Sequence, residues 1–304
     1  MKWLMWLAVL WRAFANVWTP RWRTPQRHPW RIEGRLVFVG DREFLVRQTG
    51  KEDGPDIALI HGLGGASLAE WYEVGPRLAD EYRITLVDHR SHGHSPRTIE
   101  SYEIADLADE VAAVLDQVGI DRTVVVGYSM GGTIAQELAH RHPLLVDRLV
   151  LIGTFVKHEA ALKSLRRIGA LVTRAWERLT GLGTPEFRAG YLLATGAVRR
   201  PHARWLWEET HSRDVEAGAA ATLALLRFDS SEWIRKVDQP ALVVIPLADQ
   251  LVPVAWQYQL ASALPDARVV EILDARHEAP ITHAEPIVEA IENFLNTTES
   301  RTVR

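Results

Sequence analysis

Cysteine is absent from the 304 residues. That excludes disulfides, thiolate metal centres and a cysteine nucleophile, and leaves the redox compartment open. No internal repeat or low-complexity tract is present. The formal net charge of −4 lacks the basic excess of a nucleic-acid binder, so no nucleic-acid partner is expected. Acidic residues are missing from residues 1–32, which carry Lys2, Arg12, Arg21, Arg23, Arg27 and Arg31. Six of the 12 tryptophans also fall in the first 30 residues, so this segment differs in character from the rest of the chain.

The stretch MKWLMWLAVLWRAFANVWTP places Trp3, Leu7, Leu10, Phe14 and Val17 on one helical face, and Pro20 ends the helix. Its uncharged run from Trp3 to Trp11 has nine residues, against roughly 20 for a membrane span. An amphipathic helix over residues 3–18 lying on a membrane surface is the leading expectation, with the arginines that follow meeting anionic lipid. That arrangement implies a cytoplasmic protein on the inner membrane face. Packing on the body, a dimer contact, or a signal peptide over residues 1–15 ending in the AFA of 13–15 are the alternatives. Two parts are therefore expected: residues 1–32 as helix and linker, and residues 33–304 as the main domain.

From residue 33 on, strand and helix patterns alternate. RLVFVGDREFLVRQ reads as a hairpin about Gly40-Asp41, and SLAEWYEVGPRLAD as one helix. The apolar runs DIALIHG, YRITLVD, RTVVVGYS, VDRLVLIG, ALVVIPLAD and ARVVEILDA read as strands with helical crossovers between them. Continuously apolar strands of this kind form a mostly parallel central sheet covered by helices on both faces, an α/β fold. The strand pattern stops between Thr154 and Glu232, where the composition is helical. A helical insertion over residues 154–232, lying as a lid across the carboxyl edge of the sheet, is expected there. Its Trp176, Trp205, Trp207, Leu192 and Leu193 suggest an apolar acyl pocket.

The chemistry concentrates at three places. GYSMG, residues 127–131, sits between a strand and a helix. A sharp turn there lifts Ser129 above the sheet, and small residues two before and two after leave it room. A serine nucleophile needs a base and an acid to orient the base. Asp249 follows the strand ALVVIPLA and His277 follows the strand ARVVEIL, giving the chain order Ser, Asp, His. Asp274 is the competing carboxylate. Two backbone donors are expected to hold an oxyanion: Met130 N–H after the nucleophile, and Leu63 N–H in HGLGG. Gly62 and Tyr128 are expected to line the substrate pocket, and His61 to be a structural hydrogen-bonding residue.

HGLGG, DHRSHGHS, GYSMGG, ADQLVP and HEAPITHAEP occur in the order and rough spacing of a known family. From about residue 34 onward the chain resembles the α/β-hydrolase superfamily, close to its lid-bearing serine esterases and lipase-like members. The resemblance implies a serine hydrolase that cleaves carboxylic esters through a Ser129–His277–Asp249 triad and an acyl-enzyme intermediate, with no metal or organic cofactor. A small, lipophilic ester is the implied substrate; no oligomeric state follows. Carbon–carbon bond hydrolases, cofactor-free perhydrolases, thioesterases and acyltransferases share the triad, so the motifs do not choose among them. A ligand receptor on the same scaffold is the non-enzymatic alternative. The serine at 129 argues against relatives with an aspartate nucleophile.

VDHRSHGHSP, residues 87–96, packs Asp88, His89, His92 and His94 into a short span that invites a metal reading. A metal site draws converging ligands, usually from more than one element. The same residues match the family's D-x-R-G-x-G-x-S turn, in which Asp88, Arg90 and Ser95 can tie the loop to itself. Ser91 stands where that pattern has glycine, so a change of backbone is expected there.

Overall fold

A computed structural model describes residues 29–98, 100–159 and 215–297, with isolated positions between 168 and 206. The helix expected over residues 3–18 and most of the insertion expected over 154–232 lie outside the described residues.

Side chains that alternate along each strand are sorted onto the two faces of one eight-stranded sheet. The strands are β1 (Gly34–Val39), β2 (Arg42–Gly50), β3 (Asp56–Ile60), β4 (Arg83–Val87), β5 (Thr123–Tyr128), β6 (Val146–Ile152), β7 (Ala241–Pro246) and β8 (Ala267–Ile272). Their spatial order is β1-β2-β4-β3-β5-β6-β7-β8. β2 pairs antiparallel with β1 and β4, and every later pairing is parallel. Ala58, Ile60, Val125, Leu149, Leu151, Val243 and Ile245 join the core on one face, while Ile57, Leu59, Val126, Val150, Ile152 and Val244 join the core on the other.

Helices cover both faces. α3 (Ile104–Gln117), α4 (Met130–Arg141) and α6 (Val254–Ala263) supply Leu107, Val111, Leu115, Ile134, Leu138 and Leu260 to the first face. α1 (Ser67–Trp71), α2 (Gly75–Leu78) and α7 (Ala284–Asn296) supply Leu68, Trp71, Leu78, Ile287, Ile291 and Phe294 to the second. The single helix expected from SLAEWYEVGPRLAD is in fact α1 and α2. Pro76 sits in the first turn of α2, where its missing N–H costs no hydrogen bond; inside a continuous helix it would break the ladder.

Of the insertion, the structure describes residues 154–159, the isolated positions, and α5 (Val215–Arg227) onward. A single bridge pairs Lys157 with Asp229 at its base. Leu192, Val198, Trp205 and Leu206 are buried against Ala66, Ala69, Tyr72 and Ile281 in a third apolar cluster. Trp30 packs partly buried on the domain, its ring occupying the space a side chain at Gly75 would need. Among the described residues no helix is long and apolar enough to cross a membrane.

Candidate active site

The parallel strands end at one edge, and the loops leaving that edge hold Ser129, Asp249 and His277. β5 runs into Ser129, whose backbone takes φ 54° and ψ −117° before α4 begins at Met130. A non-glycine residue in this region stores about 1–3 kcal/mol of strain. The surrounding turn leaves little choice. A Cβ on Gly127 would lie 2.4 Å from the Gly131 carbonyl oxygen, and one on Gly131 would lie 2.1 Å from the Ile60 carbonyl oxygen. Glycine at both positions lets the turn press against β3, while Ser129 N–H donates to the Ile152 carbonyl at 2.9 Å.

The three residues singled out from the sequence converge. Ser129 Oγ lies 3.0 Å from His277 Nε2, and His277 Nδ1 lies 2.8 Å from Asp249 Oδ2. The Asp249 side chain is fully buried, and Ser129 keeps 9% of its surface exposed. The carboxylate is held on all sides. Its Oδ1 accepts Leu251 N–H at 2.8 Å and Val252 N–H at 2.9 Å, and its Oδ2 also accepts the Gln257 amide at 3.2 Å. Gln257, buried in α6, was not singled out from the sequence. Asp274, the competing carboxylate, instead lines a separate cavity of about 610 Å³ with Arg77 and Arg276.

Such an arrangement can take a proton from Ser129 Oγ onto His277 while Asp249 balances the imidazolium charge. Gly62 lies beside it: a Cβ there would be 3.2 Å from Ser129 Cβ and 3.3 Å from the Tyr128 ring. The Tyr128 ring is 5.1 Å from that of His277. Met130 N–H opens α4, where the first N–H groups have no intrahelical acceptor. Among the described residues Leu63 N–H is paired with no backbone acceptor.

Comparison with known proteins adds the lineage. Residues 56–188 match a family model described as the alpha/beta hydrolase fold. The pimeloyl-[acyl-carrier protein] methyl ester esterase of Aeromonas hydrophila is 30% identical over 251 residues, covering 80% of this chain and 96% of the esterase. The chain belongs to the α/β-hydrolase superfamily. A further relative, the "Putative carbamate hydrolase RutD" of Pseudomonas syringae, is 29% identical over 252 residues, 81% of this chain and 95% of that one. The crystal structure of the enol-lactonase from Burkholderia xenovorans superposes with a TM-score of 0.74 at 26% identity, covering 86% of this chain and all of that one. The superfamily membership and these relatives make this protein a hydrolase.

In this hydrolase the histidine-rich turn is a scaffold. Asp88 Oδ1 accepts Ser67 N–H at 2.8 Å, and Oδ2 accepts Arg47 Nη1 at 3.3 Å and His94 N–H at 3.2 Å. Burial alone would raise the Asp88 carboxyl. The Arg47 guanidinium and the bonds from Ser67 outweigh it and hold the group below its ordinary value. The Asp88 side chain ties the loop to itself through His94 N–H, and the loop backbone closes where Ser91 N–H donates to the Pro96 carbonyl at 2.8 Å. Arg90 reaches out instead to Glu110 on α3, at 2.9 Å and 3.0 Å from its Nε, and Ser95 Oγ accepts Leu45 N–H of β2 at 3.0 Å. Ser91, where the family pattern has glycine, takes a left-handed φ of 66°.

His61, His89 and His92 are buried together. The first two rings stack at 3.8 Å, and His92 meets His89 edge-on at 4.3 Å. His94 is exposed. Among the described residues no group of three or more His, Asp or Glu side chains is placed to hold a metal ion. Burial pushes the His89 imidazole down from 6.5 to about 3. The unfolded chain therefore takes up a proton that the folded chain refuses between those two values. Unfolding free energy should fall as pH drops through that window, by up to about 1.4 kcal/mol per pH unit for the one proton. His89→Gln keeps a side-chain amide near the position of Nε2 and removes the titration. Urea denaturation at a series of pH values should show a shallower acid slope for this variant. Parallel slopes for variant and wild type would reject the assignment.

Proposed function

We propose that this hydrolase cleaves carboxylic esters of lipophilic substrates through an acyl-enzyme on Ser129. The carrying observation is the continuous relay from Ser129 Oγ through His277 to a buried, fully bonded Asp249. His277 takes the Ser129 proton as the oxygen attacks the acyl carbonyl. Leu63 and Met130 N–H hold the oxyanion, and His277 returns the proton to the leaving alcohol. Water then attacks the acyl carbon by the same route in reverse. None of these steps calls for a metal or organic cofactor.

The relatives' names support an acyl carbonyl as the reacting group: a methyl ester esterase, a carbamate hydrolase and an enol-lactonase. The lipophilic preference draws its support from the apolar cluster that joins Ala66, just past the HGLGG loop, and Ile281, just past His277, to Leu192 and Trp205. A carbamate is the second reading, favoured by the 29% identity to RutD.

A series of p-nitrophenyl esters from acetyl to dodecanoyl, with a p-nitrophenyl carbamate alongside, separates the two. Under the ester reading kcat/KM should rise with acyl length to octanoyl or beyond. A maximum at acetate would remove the lipophilic preference, and turnover of the carbamate alone would replace the ester reading.

A further inference from the structure

The loop HGLGG folds around a buried carboxylate. Gly65 N–H donates to the Gly62 carbonyl at 3.4 Å, and Gly64 takes φ 75°. Residues 62–65 therefore form a turn with Leu63 and Gly64 at its centre, and the positive φ falls at the third position, where a type II turn needs it. The peptide joining Gly62 to Leu63 is planar and trans, so the direction of the Gly62 carbonyl sets the opposite direction for Leu63 N–H. Whatever grips the Gly62 carbonyl therefore aims the Leu63 donor, provided the peptide before it is also held.

Two side chains grip Gly62 from either side. His61 Nδ1 lies 2.9 Å from the Gly62 carbonyl, which it can reach only as the donor. His61 is fixed in turn by the His89 ring stacked on it. His89 N–H points to His61 Nε2 at 3.4 Å, and His89 Nε2 lies 3.1 Å from the His61 carbonyl. Both bonds to Nε2 and Nδ1 of His61 agree on one neutral tautomer, with its proton on Nδ1. On the other side Glu70, buried in α1, accepts Gly62 N–H on Oε2 at 2.9 Å. Its other oxygen occupies the space of a missing side chain at Gly65, where a Cβ would lie 2.3 Å from Oε1. The glycines at 62 and 65 thus make room for the carboxylate as well as for substrate.

We propose that Glu70 is a positioning residue for hydrolysis: by holding Gly62 N–H it fixes the His61–Gly62 peptide, while His61 and Gly65 N–H hold the Gly62 carbonyl, and Gly62 clamped at both ends keeps Leu63 N–H pointed at the developing oxyanion. Glu70 touches neither Ser129 Oγ nor the substrate carbonyl in this role, and its effect passes through the backbone. The inference rests on the reading of Ser129 as nucleophile and Leu63 N–H as oxyanion donor. If Ser129→Ala leaves turnover intact, that reading itself fails. A Ser129-dependent enzyme indifferent to Glu70 fails only the present inference.

Three variants test it, each assayed on the best p-nitrophenyl ester and each melted thermally. Glu70→Met removes the acceptor at similar volume. Glu70→Asp keeps the charge but draws the carboxylate back from Gly62, and it carries the test if Glu70→Met fails to fold. Glu70→Gln keeps an oxygen for Gly62 N–H. The Met and Asp variants should lose about 10²-fold in kcat, the usual effect of spoiling one oxyanion donor, with KM changed less than about threefold. Affinity for a trifluoromethyl ketone, whose serine adduct carries an oxyanion, should fall in step with kcat. Glu70→Gln should recover kcat to within about tenfold of wild type. A folded Met or Asp variant with wild-type kcat overturns the proposal. So does a loss that Glu70→Gln shares in full, or one in which ketone affinity is unchanged.

Discussion

Ser129→Ala is expected to lower kcat by about 10⁴ to 10⁶ and to abolish covalent labelling by a fluorophosphonate. The substitution is unusually clean at this position. Ser129 uses its backbone N–H to bind the Ile152 carbonyl, and its carbonyl accepts Gly132 N–H at 2.9 Å; alanine keeps both bonds. The φ of 54° is imposed by the turn between β5 and α4 and by the close approach of Gly131 to β3. Alanine has the same Cβ and bears the same strain. Only the hydroxyl is lost, and with it the 3.0 Å contact to His277 Nε2. Stability should stay close to wild type or rise slightly, so a thermal melt separates lost chemistry from lost fold. Undiminished labelling of the variant would show that another residue carries the nucleophile.

The readability of this site differs from residue to residue for physical reasons. Ser129, Asp249 and His277 were legible because each lies just past a strand with a strong apolar pattern, and parallel strands deliver their following loops to one edge. The glycines at 127 and 131 were legible because the turn tolerates nothing larger. Glu70 was not. In sequence it is one acidic residue in SLAEW, indistinguishable from an exposed helix position. Its role depends on α1 folding back over the loop that precedes it, so that the carboxylate lands between Gly62 and Gly65. A buried glutamate beside two glycines eight and five residues earlier is a signal only once the turn at Gly64 is known.

The histidine stack was hidden differently. His61 and His89 are far apart in the chain, and they become neighbours because β3 and β4 pair in parallel with Ile60 opposite Val87. The apparent metal cluster in VDHRSHGHSP came from counting residues along a loop whose side chains do not converge on one point: Asp88 turns to Arg47, His94 to solvent, and His89 and His92 pack their rings with His61. Gln257 lay on α6 and gave no warning, since its partner Asp249 is met only through the fold of the loop after β7.

That loop also makes Asp249→Asn informative, with an expected loss in kcat of about 10⁴. An asparagine side chain has one oxygen and one NH₂ group, so the loop must choose which faces where. Oδ1 of Asp249 accepts two backbone N–H groups, from Leu251 and Val252. These donors cannot move without unmaking the turn, so the asparagine oxygen is required in that place. The NH₂ group then falls at the position of Oδ2, facing His277 Nδ1, from which Asp249 Oδ2 is separated by 2.8 Å. A donor there binds Nδ1 only when that nitrogen is unprotonated, which puts the imidazole proton on Nε2, facing Ser129. His277 would then present a donor to the nucleophile where a base is needed. The Gln257 amide, which also donates to Oδ2, would meet a second donor and give up that bond. Removing it adds a modest loss of stability of about 1 kcal/mol. The melt should therefore change little while kcat collapses, and fluorophosphonate labelling should slow in the same proportion as kcat. Retention of more than a tenth of wild-type kcat by a folded Asp249→Asn protein would show that another group orients His277, and the assignment of Asp249 would have to be withdrawn.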